Sequence, residues 1–250
     1  MARIQMNYPG GGTASLDLCL PVEADGGSWE NPVSWKRWPV IWLLHGEGES
    51  CGDWFRYTLL EEYAKQAGIA VVCPTIENSF GVNLKHGDPW ENFLTGSLRQ
   101  GLFSMFPLSE KREDNWIAGN SMGGYAALRL AFRHPELFAG AAAFDAIVDL
   151  SVDKLSYWWN AQQLDYVFQT EEDRMGTEYS LLDQGRQCRE RPQVYLSWEE
   201  LGKRENENRE LAQQLCDLGF QVEIHTAPAN KISTLTRDQQ LREWLSKFHS

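Results

Sequence analysis

Gly119-Asn120-Ser121-Met122-Gly123-Gly124 stands out in this 250-residue chain as a segment whose residue types and spacing suit covalent chemistry. A serine flanked by glycines two positions away on either side can ride a sharp turn from a strand into a helix. Its hydroxyl is then exposed, and the glycines let strand and helix pass closely. The amide of Met122 would face a bound carbonyl oxygen, helped by the helix N-terminus. The chemistry is acyl transfer with Ser121 as nucleophile. The plainer alternative is a glycine-rich turn with a structural serine, so the flanking elements decide. A second oxyanion amide is expected from Gly46 or Glu47, because His45-Gly46 closes an apolar run where such a loop is needed. His45 itself reads as structural, since it precedes the serine in a chain order that should run serine, acid, histidine.

The elements that must position these residues follow from periodicity. Ala14, Leu16, Leu18 and Leu20 alternate as in a half-buried strand, and Val40 to Leu44 is a continuous apolar run, as in a buried parallel strand. A helix is expected from Trp54 to Gln66, a strand over Ile69 to Cys73, a loop over 77–90 and a helix from Glu91 to Phe106. Asn115 to Ala118 then reads as a strand feeding the serine turn, Met122 to Arg133 as the helix behind it, and Phe138 to Phe144 as the next strand. Beyond a Trp-, Asp- and Gln-rich stretch the rhythm resumes with a strand Val194 to Trp198, a helix Arg204 to Leu218, a strand Phe220 to His225 and a last helix ending at Phe248. Alternating β and α elements predict a mostly parallel sheet with helices on both faces. Residues 1–250 are read as one α/β domain, with 150–190 as a small inserted cap.

The chain resembles the esterase D-like α/β hydrolases, in particular the bacterial tributyrin esterases. His45 to Trp54 (HGEGESCGDW) is similar to that family's HG loop, and the similarity extends through DWFRYTLLEEYAKQAGIAVVCPTIENS, FPLSEKREDNWIA and SMGGYAALRLAFRHPELFAG. The resemblance implies an α/β-hydrolase fold and hydrolysis of short-chain carboxylic esters by a serine triad. It also exposes two departures. The position of the family's acid falls on Gly202, with Glu199 and Glu200 as nearby substitutes. The position of its histidine, in the loop Ala227-Pro228-Ala229-Asn230-Lys231-Ile232, holds Lys231, and no histidine occurs from Thr226 to Lys247.

Five histidines remain to supply a base. His225 ends the preceding strand and His86 lies in the loop after Ser79; these two are the substitute bases considered. His134 and His249 are poorly placed. Lys231 could serve only if burial depressed its pKa, because a free lysine is protonated at pH 7. Loss of a triad member costs about 10⁴ to 10⁶ in rate, so ordinary triad turnover is not expected. Two functions follow: an impaired serine esterase, or a non-catalytic protein that binds a small ester, acyl ligand or partner in the retained cleft.

Composition narrows the field. The 23 Lys and Arg against 35 Asp and Glu leave a net charge of −12, which would repel a phosphate backbone, so nucleic acid is not expected as a partner. No apolar run approaches the roughly 20 residues needed to span a bilayer. Five scattered cysteines without CxxC spacing argue against a disulfide framework or a metal site, and suggest reduced thiols in a cytoplasm. No cofactor fingerprint is present. Tyr157, Trp158, Trp159 and Tyr166 in the cap could line an acyl pocket, or glue the cap to the sheet or to a second subunit of a homo-oligomer.

Overall fold

The computed structural model describes residues 1–8, 11–21, 37–85, 87–151, 155, 159–168, 170–228 and 233–248. The described residues form eight strands: β1 (Ala2–Asn7), β2 (Thr13–Cys19), β3 (Val40–Leu44), β4 (Ala70–Pro74), β5 (Asn115–Asn120), β6 (Gly140–Phe144), β7 (Gln193–Glu199) and β8 (Val222–Ala227). They make a single sheet in the order β1-β2-β4-β3-β5-β6-β7-β8. The pairs β1–β2 and β2–β4 are antiparallel and the other pairs parallel. This is the α/β-hydrolase fold.

Ten helices surround the sheet among the described residues. They are α1 (Asp53–Tyr57), α2 (Leu60–Ala67), α3 (Trp90–Asn92), α4 (Leu98–Met105), α5 (Met122–Arg133), α6 (Ala161–Phe168), α7 (Glu171–Arg174), α8 (Leu181–Gln187), α9 (Glu205–Asp217) and α10 (Ser233–Leu245). Every residue of β3, β4 and β6 is buried, as expected for parallel strands covered on both faces. Alternate side chains feed two cores. Trp42, Val72 and Ile117 pack with Leu102, Ala127 and Leu211 on one face. Ile41, Val71 and Ala118 pack with Trp54, Tyr63 and Trp244 on the other. No described helix is long and apolar enough to cross a membrane, and the five cysteines are unpaired.

The structure departs from periodicity at several elements. The helix expected from Trp54 to Gln66 is two, α1 and α2. The break is held by polar groups: the Thr58 hydroxyl donates to the Trp54 carbonyl at 2.6 Å, and the Leu59 amide donates to Asp238 Oδ1 at 2.8 Å. The helix expected from Glu91 to Phe106 is α3 and α4 joined by a π-helical turn, Phe93–Ser97. Strand β8 lies two residues later than expected. Strand β1 was not expected at all, because only Ile4 and Met6 mark it and it is an edge strand. It is anchored by Arg3, which donates from Nε and Nη2 to the two oxygens of the buried Asp17 at 2.8 and 2.7 Å. The segment between β6 and β7 carries α6, α7 and α8.

Candidate functional site

Ser121 occupies the turn between β5 and α5 with φ +54° and ψ −111°, a left-handed conformation that a serine adopts only when its surroundings impose it. Those surroundings are backbone hydrogen bonds. The Ser121 amide donates to Phe144 O at 2.9 Å, and its carbonyl accepts from Tyr125 N and Ile147 N, each at 3.1 Å. Space is as demanding as geometry. A Cβ on Gly119 would sit inside the backbone of Gly123, and one on Gly123 would lie 2.5 Å from the carbonyls of Leu44 and His45. The two glycines of the motif therefore let α5 cross the ends of β3 and β5, the arrangement that exposes a serine hydroxyl.

The HG loop is held from below. His45 is fully buried; its Nδ1 contacts Gly46 O at 2.7 Å, and its Nε2 accepts from the Ile76 amide at 3.0 Å. An amide donor requires Nε2 to be unprotonated, so the ring is neutral with its hydrogen on Nδ1. Burial lowers its pKa in the same direction. His45 thus joins the end of β3 to the loop after β4 and is not a proton carrier. Trp54 Nε1 donates to Leu44 O at 3.0 Å, and Asp53 Oδ2 accepts from the amide and hydroxyl of Ser50. The Asp-Trp pair closes the loop.

A cleft of about 490 Å³ opens over Ser121 at the carboxyl ends of the strands, where ligands of open α/β sheets bind. It is lined by Gly46, Glu47, Glu49, Asn120, Ser121, Asp145, Glu199, Gly202, Lys203, Arg204, Thr236, Arg237 and Gln240. Both expected oxyanion amides point to carboxylates of the same loop. The Gly46 amide donates to Glu49 Oε2 at 2.9 Å, and Glu49 Oε1 accepts from Arg237 Nη2 at 2.7 Å. The Met122 amide lies 3.5 Å from Glu47 Oε2, the outer edge of hydrogen-bond reach, and Glu47 Oε1 lies 3.7 Å from Arg204 Nη2. Each carboxylate is tethered by an arginine, and Arg237 is packed over the Trp54 ring at 5.3 Å.

The residues considered as base and acid are scattered. Asn120, Phe144, Ser197 and His225 are partners in successive strand pairs. His225 is thus three strand spacings from the end of β5, about 14 Å at roughly 4.8 Å each. The structure does not bring it to Ser121. Lys231 and His86 lie outside the described residues, as do Tyr157 and Trp158. Gly202 does line the cleft, but a Cβ there would meet the Glu199 carbonyl at 2.7 Å, so this backbone leaves no room for a carboxylate side chain. Among the described residues no imidazole lines the cleft.

Asp145 is the carboxyl group that sequence reasoning passed over. It follows β6 with φ +44° beside the serine turn, and its oxygens accept from Glu199 N and Gln240 Nε2, each at 2.9 Å. Burial raises its pKa, with those two hydrogen bonds opposing. Its signal was its place immediately after a strand end. Glu49, Arg204, Arg237 and Gln240 had none, because they meet only through the fold. Of the aromatics expected in a cap, Trp159 is buried against Phe80 at a ring distance of 5.2 Å, while Tyr166 is exposed; both line a second cleft of about 650 Å³ with Glu77, Asn78 and Ser79.

Residues 30–233 match the family described as "Putative esterase". An acetyl esterase of Caldicellulosiruptor saccharolyticus is 30% identical over 128 residues, which are 51% of this chain and 48% of that protein. The chain spans about half the length of the curated relatives it matches. Among solved structures, the S-formylglutathione hydrolase FrmB of Staphylococcus aureus superposes with a TM-score of 0.85 at 23% identity, covering 100% of this chain and 99% of that one. The fluorophosphonate-binding serine hydrolase FphF of the same organism gives 0.82 at 23%, covering 100% and 98%. With four fifths of its length matched, the chain belongs to this esterase family of the α/β-hydrolase fold.

Proposed function

We propose that this protein is a carboxylesterase-type serine hydrolase of short-chain esters, of the tributyrin esterase kind, in which Ser121 is the nucleophile and turnover is low. The observation that carries the reading is the strained Ser121 turn, whose φ of +54° is held by three backbone hydrogen bonds and by the close strand–helix approach that Gly119 and Gly123 permit. A hydroxyl so placed attacks an ester carbonyl, giving an acyl-serine and the alcohol; water then releases the acid. The oxyanion formed on the way would take the Met122 amide and that of Gly46 or Glu47. A cleft of about 490 Å³ suits a small ester.

Low turnover follows from the groups beside the serine. By the resemblance, the family's acid and histidine positions are taken by Gly202 and Lys231, and the carboxylates of Glu47 and Glu49 are turned toward the amides that an oxyanion would need. Carboxylate and oxyanion carry the same charge, so Glu47 must withdraw before the Met122 amide can serve. Those same carboxylates favour a second reading, a non-catalytic protein that binds an acyl or ester ligand.

Hydrolysis of p-nitrophenyl butyrate, measured beside Ser121→Ala, tests the proposal. The expected result is a rate about 10³-fold or more below that of an enzyme with a full triad, and loss of that residual rate in Ser121→Ala. Equal rates in the two proteins at the buffer background would leave the binding reading.

A further inference from the structure

Arg174, at the end of α7, is 2% exposed, and its Nε, Nη1 and Nη2 all lack a hydrogen-bond partner. Asp165 and Glu171 form long ion pairs with it at 3.9 Å, beyond hydrogen-bond distance, and their side chains are 50% and 73% exposed. A guanidinium carries five N–H donors in a planar fork. Burying it with none of them satisfied costs several kcal/mol unless an acceptor arrives.

The surroundings say which acceptor. Arg174 lines a small cleft of about 190 Å³ between α7, α8 and α9, separate from the Ser121 cleft and sharing none of its residues. Most of the lining is apolar, with Leu150, Leu181, Leu182 and Leu211 prominent, and Tyr179 and Ser180 complete it. Asp149 also lines it, with its Oδ1 tied back by the Ser151 amide at 2.8 Å, and Gln214 adds an uncharged amide. A buried planar cation at the edge of a largely apolar space is complementary to a planar anion with a short hydrocarbon tail, which would reach the guanidinium once the side chains over it move aside. A bare inorganic anion would leave the leucines unmatched, and an alcohol would leave the guanidinium unpaired.

We infer that this cleft binds a short aliphatic monocarboxylate, with Arg174 taking the carboxylate as a two-point hydrogen-bonded pair and the leucines enclosing the chain. The site stands on its own geometry and does not require the hydrolase reading.

The test is calorimetric titration of the purified chain with sodium hexanoate, with hexanol and inorganic phosphate as controls. Saturable one-to-one binding of hexanoate is expected, at least tenfold tighter than either control, lost by tenfold or more in Arg174→Gln and retained in Ser121→Ala. Gln214→Glu, on the half-buried flank of α9, places a like charge in the cleft and is expected to weaken hexanoate at least tenfold. It gives the reading should Arg174→Gln fail to fold. Phosphate or hexanol binding as tightly as hexanoate, no saturable binding at millimolar hexanoate, or loss of binding in Ser121→Ala would each overturn the assignment.

Discussion

Glu47 is the charged side chain placed against the amide that follows Ser121. Its carboxylate is only 13% exposed and lies between the Met122 amide and Arg204. In the proposed hydrolase the Met122 amide would be an oxyanion-hole donor worth about 10² to 10³ in rate, and a carboxylate competing for it would act as a brake. Glu47→Ala is therefore expected to speed labelling of Ser121 by a fluorophosphonate about tenfold or more, read as the second-order rate constant; an unchanged or slower rate would show that Glu47 is no obstacle. The serine turn was legible in the sequence because such a turn is local: glycines at fixed offsets, one strand, one helix. The charged rim was not. Arg204, just before α9, and Arg237, within α10, reach Glu47 and Glu49 from far along the chain, and no spacing rule connects Glu49 with a residue 188 positions away.

Elements are joined by buried charge as well as by apolar packing. Glu91 in α3 accepts from Arg129 Nη1 at 2.7 Å and Arg133 Nε at 2.8 Å on α5, and its Oε1 lies 2.9 Å from His134 Nε2. Burial alone would raise its pKa, but these partners hold the carboxyl well below the usual range. Glu91→Ala would leave the fully buried Arg129 guanidinium without its carboxylate. The expected loss is about 3–5 kcal/mol, read by urea unfolding, with the fold of the remaining native population unchanged. Periodicity located most strands and helices because buried parallel strands and amphipathic helices carry their own signal. It failed where a polar group cut a pattern, as Thr58 and Asp238 do between α1 and α2, and at β1, whose burial depends on β2 rather than on its own residues.

Across the whole molecule, the charge of −12 and the buried groups respond to acid in opposite senses. Protonating surface carboxylates relieves self-repulsion as pH falls. His45 acts the other way. Burial lowers its pKa from 6.5, so below that value the unfolded chain takes up a proton that the folded chain refuses. The stability it contributes is present above pH 6.5 and is lost as pH falls from there toward its folded pKa. Melting temperature measured from pH 7 to pH 5 is expected to fall more steeply in the natural chain than in His45→Gln; parallel curves would contradict this. Gly202 has a consequence for redesign of the cleft. With the Glu199 carbonyl only 2.7 Å from where a Cβ would stand, one codon change to aspartate would collide with the main chain before any charge could be of use. The main chain therefore admits no side chain at this point of the cleft rim, and any acid partner for Ser121 has to come from a different position.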